Sequence, residues 1–137
     1  MNKMLIIFAS ISILISSSAF SNPYTYECDI KSEYTLSDDG ALITSETQIY
    51  NGKKFNVERP SGIVLGGGVG NSTYPTKTVI DPGGMGQSYK LLWTSREVIG
   101  TKGGKNAIYL TIQEYNVSSS KPFTMVIDSR ILSGICN

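Results

Sequence analysis

From residue 24 to residue 36, apolar and polar side chains alternate almost without a break. Tyr24, Tyr26, Cys28, Ile30, Tyr34 and Leu36 fall on one phase; Thr25, Glu27, Asp29, Lys31, Glu33 and Thr35 fall on the other. A period of two held this long predicts a strand with one wet face. Asp38-Asp39-Gly40 then supplies a turn, with a glycine free to take positive φ. A weaker second strand is expected over 41–50, before the Asn51-Gly52 hairpin signal. Phe55 and Val57 mark a short third strand, ended by Pro60-Ser61-Gly62.

The middle of the chain is rich in loop-forming residues, since eleven of its fourteen glycines lie between Gly62 and Gly104. Short apolar pieces at 63–65 and 76–81 are separated by Gly66-Gly67-Gly68 and Gly70, and Asp81-Pro82-Gly83-Gly84 reads as a turn. Tyr89, Leu91 and Trp93 alternate with Lys90 and Thr94 and predict a strand facing the core. Gly103-Gly104 leads into 107–115, where Ile108, Leu110 and Ile112 share a face. Residues 123–128 and 130–136 form a last pair across a tight Asp128-Ser129 connection. The pattern gives eight or nine strands and no sustained helical stripe. It predicts an all-β domain, a single antiparallel meander of about eight strands closed into a small barrel.

Residues 1–21 read as a signal peptide: Lys3, an apolar run over 5–15, then small residues with Ala19 and Ser21 at the cleavage positions. The run falls short of the roughly 20 residues of a spanning helix. Residues 22–137 then form one β-barrel domain, periplasmic or secreted, with no transmembrane segment after cleavage. Losing Lys3 leaves eleven basic against eleven acidic residues. That balance argues against a nucleic-acid binder, which carries a basic stripe. Cys28 and Cys136 sit at opposite ends of this domain, and in an oxidising compartment they are expected to pair; the alternative is two free buried thiols. Pairing makes the first and last strands neighbours. In a meander this favours a sheet that has curled round, although a flat sandwich also allows it.

The chain contains no histidine, which removes the Ser-His and Cys-His nucleophile systems and the commonest transition-metal ligand. The carboxylates are scattered and mostly on the wet phase of strands, and Asp38-Asp39 reads as a turn. The run from Gly66 to Gly70 lacks the lysine and hydroxyl that end a phosphate loop. No catalytic residue, metal site or cofactor is expected, and the chain reads as a non-enzyme. Asn71-Ser72-Thr73 and Asn116-Val117-Ser118 match the glycosylation sequon. Tyrosine is the unusual component, at eight residues; in-phase tyrosines either pack the core or line a semi-polar cavity.

The signal peptide, the first strand with Tyr26-Glu27-Cys28, the Asn51-Gly52-Lys53 hairpin and the closing Cys136-Asn137 resemble the periplasmic inhibitors of C-type lysozyme, the MliC/PliC group. The resemblance implies a small disulfide-bonded antiparallel barrel that inserts a loop into the lysozyme cleft. The inhibitory loop of that family carries Ser-Gly before an aromatic. Ser61-Gly62 is the matching position here, and Ile63-Val64-Leu65 departs from the pattern. The expected function is binding of a macromolecular partner outside the cytoplasm, as inhibition of a cell-wall hydrolase or neutralisation of a toxin. Loops on a rigid scaffold carry such contacts, and the candidate residues are Ser61, Gly62, Ile63 and Tyr74. The alternative is a carrier of a small semi-polar ligand inside the barrel. A tyrosine-lined cavity would favour the carrier, and a filled core the partner-binder.

Overall fold

A computed structural model describes residues 23–69, 76–84, 86–95, 106–116 and 118–137. Among these residues the protein is all-β, with nine strands: β1 (Thr25–Leu36), β2 (Leu42–Thr44), β3 (Lys54–Glu58), β4 (Ile63–Gly66), β5 (Thr76–Gly84), β6 (Gln87–Thr94), β7 (Ala107–Ile112), β8 (Lys121–Ile127) and β9 (Arg130–Cys136). Every pairing is antiparallel, in the order β4-β3-β1-β9-β8-β7-β6-β5, with β2 on β1 off that path. The strands therefore follow one another round a ring that β1 and β9 close, as expected of a curled meander. Among the described residues one ladder is missing, between β4 and β5, so the barrel is nearly closed with a seam on that side.

The period-two positions form the core. Tyr89, Leu91 and Trp93 of β6, Ile108, Leu110 and Ile112 of β7, and Phe123, Met125 and Ile127 of β8 are all buried. They meet Tyr26, Cys28 and Ile30 of β1 and Phe55 and Val57 of β3. Rings touch across the interior: Tyr26 and Tyr89 at 6.4 Å between centroids, Phe55 and Phe123 edge-to-face at 5.2 Å. These contacts join opposite walls and show that the sheet has wrapped onto itself.

Three local expectations are corrected. The alternation of β1 does not run unbroken to Leu36, because a bulge between Ile30 and Ser32 inserts one residue and reverses the phase. Glu33 is thereby turned inward and buried, while Leu36 is 56 % exposed. The second strand shrinks to three residues. The segment 45–53 instead folds back as a loop, because the buried Glu33 accepts a hydrogen bond from Tyr50 N at 2.8 Å and binds Arg130. Asp81-Pro82-Gly83-Gly84 lies within β5 rather than forming a turn. Its proline is tolerated on an edge strand, where a missing N–H breaks no ladder bond. The Asp38-Asp39-Gly40 turn is present, with Gly40 N donating to Ser37 O at 2.9 Å. The two-residue Asp128-Ser129 hairpin is present as well.

Cys28 and Cys136 are bonded. They face each other across β1 and β9, beside the doubly hydrogen-bonded Glu27 and Asn137. They therefore occupy a non-hydrogen-bonded pair, where side chains of neighbouring strands come closest. The bond spans 108 residues, and in the chain-entropy model a loop of that size stabilises by about 4 to 5 kcal/mol. Alkylation of the native protein before reduction should add no mass, and reduction should lower the denaturation midpoint by a corresponding amount. Two freely alkylated thiols in the native protein would contradict the pairing.

Candidate functional site

Alternation along β3 turns Lys54, Asn56 and Glu58 outward and Phe55 and Val57 inward. Carried one step further, it places Glu58 outside and Arg59 inside, so consecutive residues present opposite charges to opposite faces. The turn that follows is tightly tied. Ser61 Oγ donates to the Glu58 carboxylate and accepts from Ile63 N at 3.1 Å, and Gly62 N donates to Glu58 O at 2.9 Å. Gly62 has φ +66°, and a methyl added to it would stand 2.5 Å from Leu91 Cδ1. Its role is to let the hairpin press on the core.

Outside, Thr25, Asn56, Glu58, Ile63 and Leu65 line a groove of about 380 Å³. Ile63 is 43 % and Leu65 65 % exposed, two aliphatic side chains standing side by side on the outer face of β4. The Tyr24 hydroxyl is held above its ordinary 10.0 by its hydrogen bond to Glu58 and by the charge of that carboxylate. Further along the same face Asp29 pairs with Lys54 at 3.2 Å and Lys31 at 3.4 Å, and its pKa is held below the usual carboxylate value, chiefly by the bond to Lys54.

Inside, Arg59 crosses the seam. Its Nη2 donates to Pro82 O of β5 at 2.7 Å and to Glu114 Oε2 at 3.1 Å. Its Nε lies 2.9 Å from Glu114 Oε1, as an ion-pair contact rather than an aligned hydrogen bond. The guanidinium stands 5.8 Å from the Tyr26 ring centroid and 5.9 Å from that of Tyr89, within cation–π range. Tyr26 donates its hydroxyl to Glu114, and Tyr89 donates to Arg59 O at 3.0 Å. Glu114 is admitted only because residue 83 is glycine: a methyl there would come within 2.1 Å of Oε2, and φ is +75°. This carboxylate is occupied by a cation and a hydroxyl, so its setting is that of a structural ion pair.

At the opposite end, Glu33 and Arg130 repeat the device. Arg130 Nη1 binds Glu33 and also donates to Ser45 Oγ at 2.9 Å and Thr47 Oγ1 at 3.1 Å. Both buried carboxylates escaped the sequence reading. Glu33 was hidden by the bulge and Glu114 by lying just beyond the last alternating residue of β7.

Of the four predicted contact residues, the structure brings Ser61, Gly62 and Ile63 into one hairpin, and only Ile63 lines the groove. Tyr74 and the leader at 1–21 lie outside the described residues. Among the described residues no three potential ligands converge on a metal position, and no helix is long and apolar enough to cross a membrane.

The two interior hydroxyls carry a pH signature. Burial, then the bond to Glu114, raises Tyr26 above 10.0, and burial pushes Tyr89 up to about 12. Between pH 10 and about 12 the unfolded chain loses these protons while the folded protein keeps them. Their contribution is therefore complete below pH 10 and is lost as pH rises through that window. Denaturant unfolding should show stability falling from pH 10 upward, and Tyr89→Phe should flatten the fall. An unchanged slope in that variant would contradict the assignment.

In comparisons with known proteins, no family model, no curated protein and no solved structure matches this chain.

Proposed function

We propose that this is a non-catalytic, exported β-barrel protein that binds a macromolecular partner through the outer face of its β3–β4 hairpin. The observation that carries the reading is the groove beside Glu58, where Ile63 and Leu65 stand exposed on a hairpin anchored from within by Arg59. Exposed aliphatic side chains on a rigid, pinned turn make contact area with little ordering cost. The packed interior supports this reading over that of a carrier, because Tyr26, Tyr89, Trp93, Phe55 and Phe123 fill the space where a ligand would sit. The absence of histidine supports a non-enzyme, as do two buried carboxylates each matched by an arginine. The disulfide supports an oxidising compartment, in keeping with the leader-like residues 1–21.

The first partners to test are cell-wall hydrolases, with toxins the second class. In a peptidoglycan-lysis assay with a C-type lysozyme, the mature chain (22–137) should inhibit in a saturable manner. Ile63→Asp should weaken inhibition at least tenfold while shifting stability by no more than about 1 kcal/mol, as expected of a surface position. Undiminished lysis, together with saturable uptake of a small semi-polar fluorescent ligand by the mature chain, would favour the carrier instead.

A further inference from the structure

We infer that the groove between β1, β3 and β4 receives a cationic side chain, arginine or lysine, flanked by an aliphatic one on the partner. This deepens the binding reading above and rests on it. The groove is two-sided in character: Ile63 and Leu65 are aliphatic, whereas Thr25, Asn56 and Glu58 are polar. Thr25 pairs with Glu58 and Glu27 with Asn56 across the β1–β3 ladder, so two carboxylates stand diagonally on this face. The acid next along β1, Asp29, is neutralised by two lysines. Among the described residues no cation pairs with Glu27 or Glu58.

The Glu58 carboxylate is nevertheless fixed in place. Ser61 hydrogen-bonds to it, and a hydroxyl donor holds a carboxylate without cancelling its charge. Any partner that covers Ile63 and Leu65 must also take Glu58 out of water. An apolar or anionic contact would leave that charge desolvated and unpaired, which is strongly unfavourable. A guanidinium or ammonium removes the penalty, and its methylene stem can lie along the two aliphatic side chains. Arginine suits the site best, since its planar fork pairs a carboxylate bidentately. A groove of about 380 Å³ has room for a few side chains, in keeping with a short extended segment.

The test is an NMR titration of the isotope-labelled mature chain with two capped tripeptides, acetyl-Leu-Arg-Leu-amide and acetyl-Leu-Glu-Leu-amide. The arginine peptide should shift Asn56, Ile63 and Leu65 saturably and bind at least tenfold more tightly than the glutamate peptide. Glu58→Gln should lower its affinity about tenfold, and raised salt should weaken it. Equal affinity for the two peptides, an unaffected Glu58→Gln variant, or no shifts at these residues would overturn the inference. Hydrolase inhibition lost with Ile63→Asp but kept with Glu58→Gln would overturn the cationic partner and leave the binding reading standing. Peptide selectivity without any hydrolase inhibition would do the reverse.

Discussion

Arg59, bonded to Pro82 O of β5 and to Glu114 beyond β7, holds together the one place where, among the described residues, this barrel has no backbone ladder. Elsewhere each wall is joined to the next by antiparallel hydrogen bonds; across the seam between β4 and β5 the join is made by side chains. Arg59 leaves the end of β3, passes over the rings of Tyr26 and Tyr89, and bonds both the backbone of β5 and a carboxylate just beyond β7. Gly83 leaves room for Glu114, and close approach at Gly62 seats the hairpin against Leu91 and Val79. A buried ion pair adds little net stability when both partners are present, but losing one partner costs about 3 to 5 kcal/mol. Its effect here is to select the wrapped arrangement over an open sheet with the same strand order.

The same residue ties the interior to the outer surface. Glu58 and Arg59 are consecutive, one in the groove and one in the core, so the hairpin that carries Ile63 is anchored from inside by the latch. Glu33 and Arg130 secure the other end, holding the 45–53 loop against β1. Two buried Glu–Arg pairs, one at each end, and a disulfide between the first and last strands therefore define the frame. On the outside of that frame lies the groove, where a carboxylate without a cationic partner among the described residues meets two exposed aliphatic side chains.

Much of this frame is legible in the sequence. Period-two alternation over Tyr89, Leu91, Trp93 and over Ile108, Leu110, Ile112 places those walls correctly, because a strand buried on one face must alternate. The cysteine positions foretell the β1–β9 pairing. The parts that were not legible share a cause. The bulge before Ser32 is a backbone event without a residue signature, yet it decides whether Glu33 faces water or the core. Arg59 sits in a turn-like Arg-Pro-Ser-Gly stretch, and its partner lies 55 residues away. A pairing over that distance has no local pattern. Ile63 was found as a loop residue, but the groove beside it depends on the β1–β3 register and so needed the fold.

The most direct test of the latch is residue-resolved hydrogen exchange on the mature protein and on Arg59→Met. Amides of β4 and β5 should exchange at least tenfold faster in the variant, over and above any change at the β1–β9 ladder next to the disulfide. Equal acceleration in all strands, or none at β4 and β5, would contradict the claim that this side chain closes the seam.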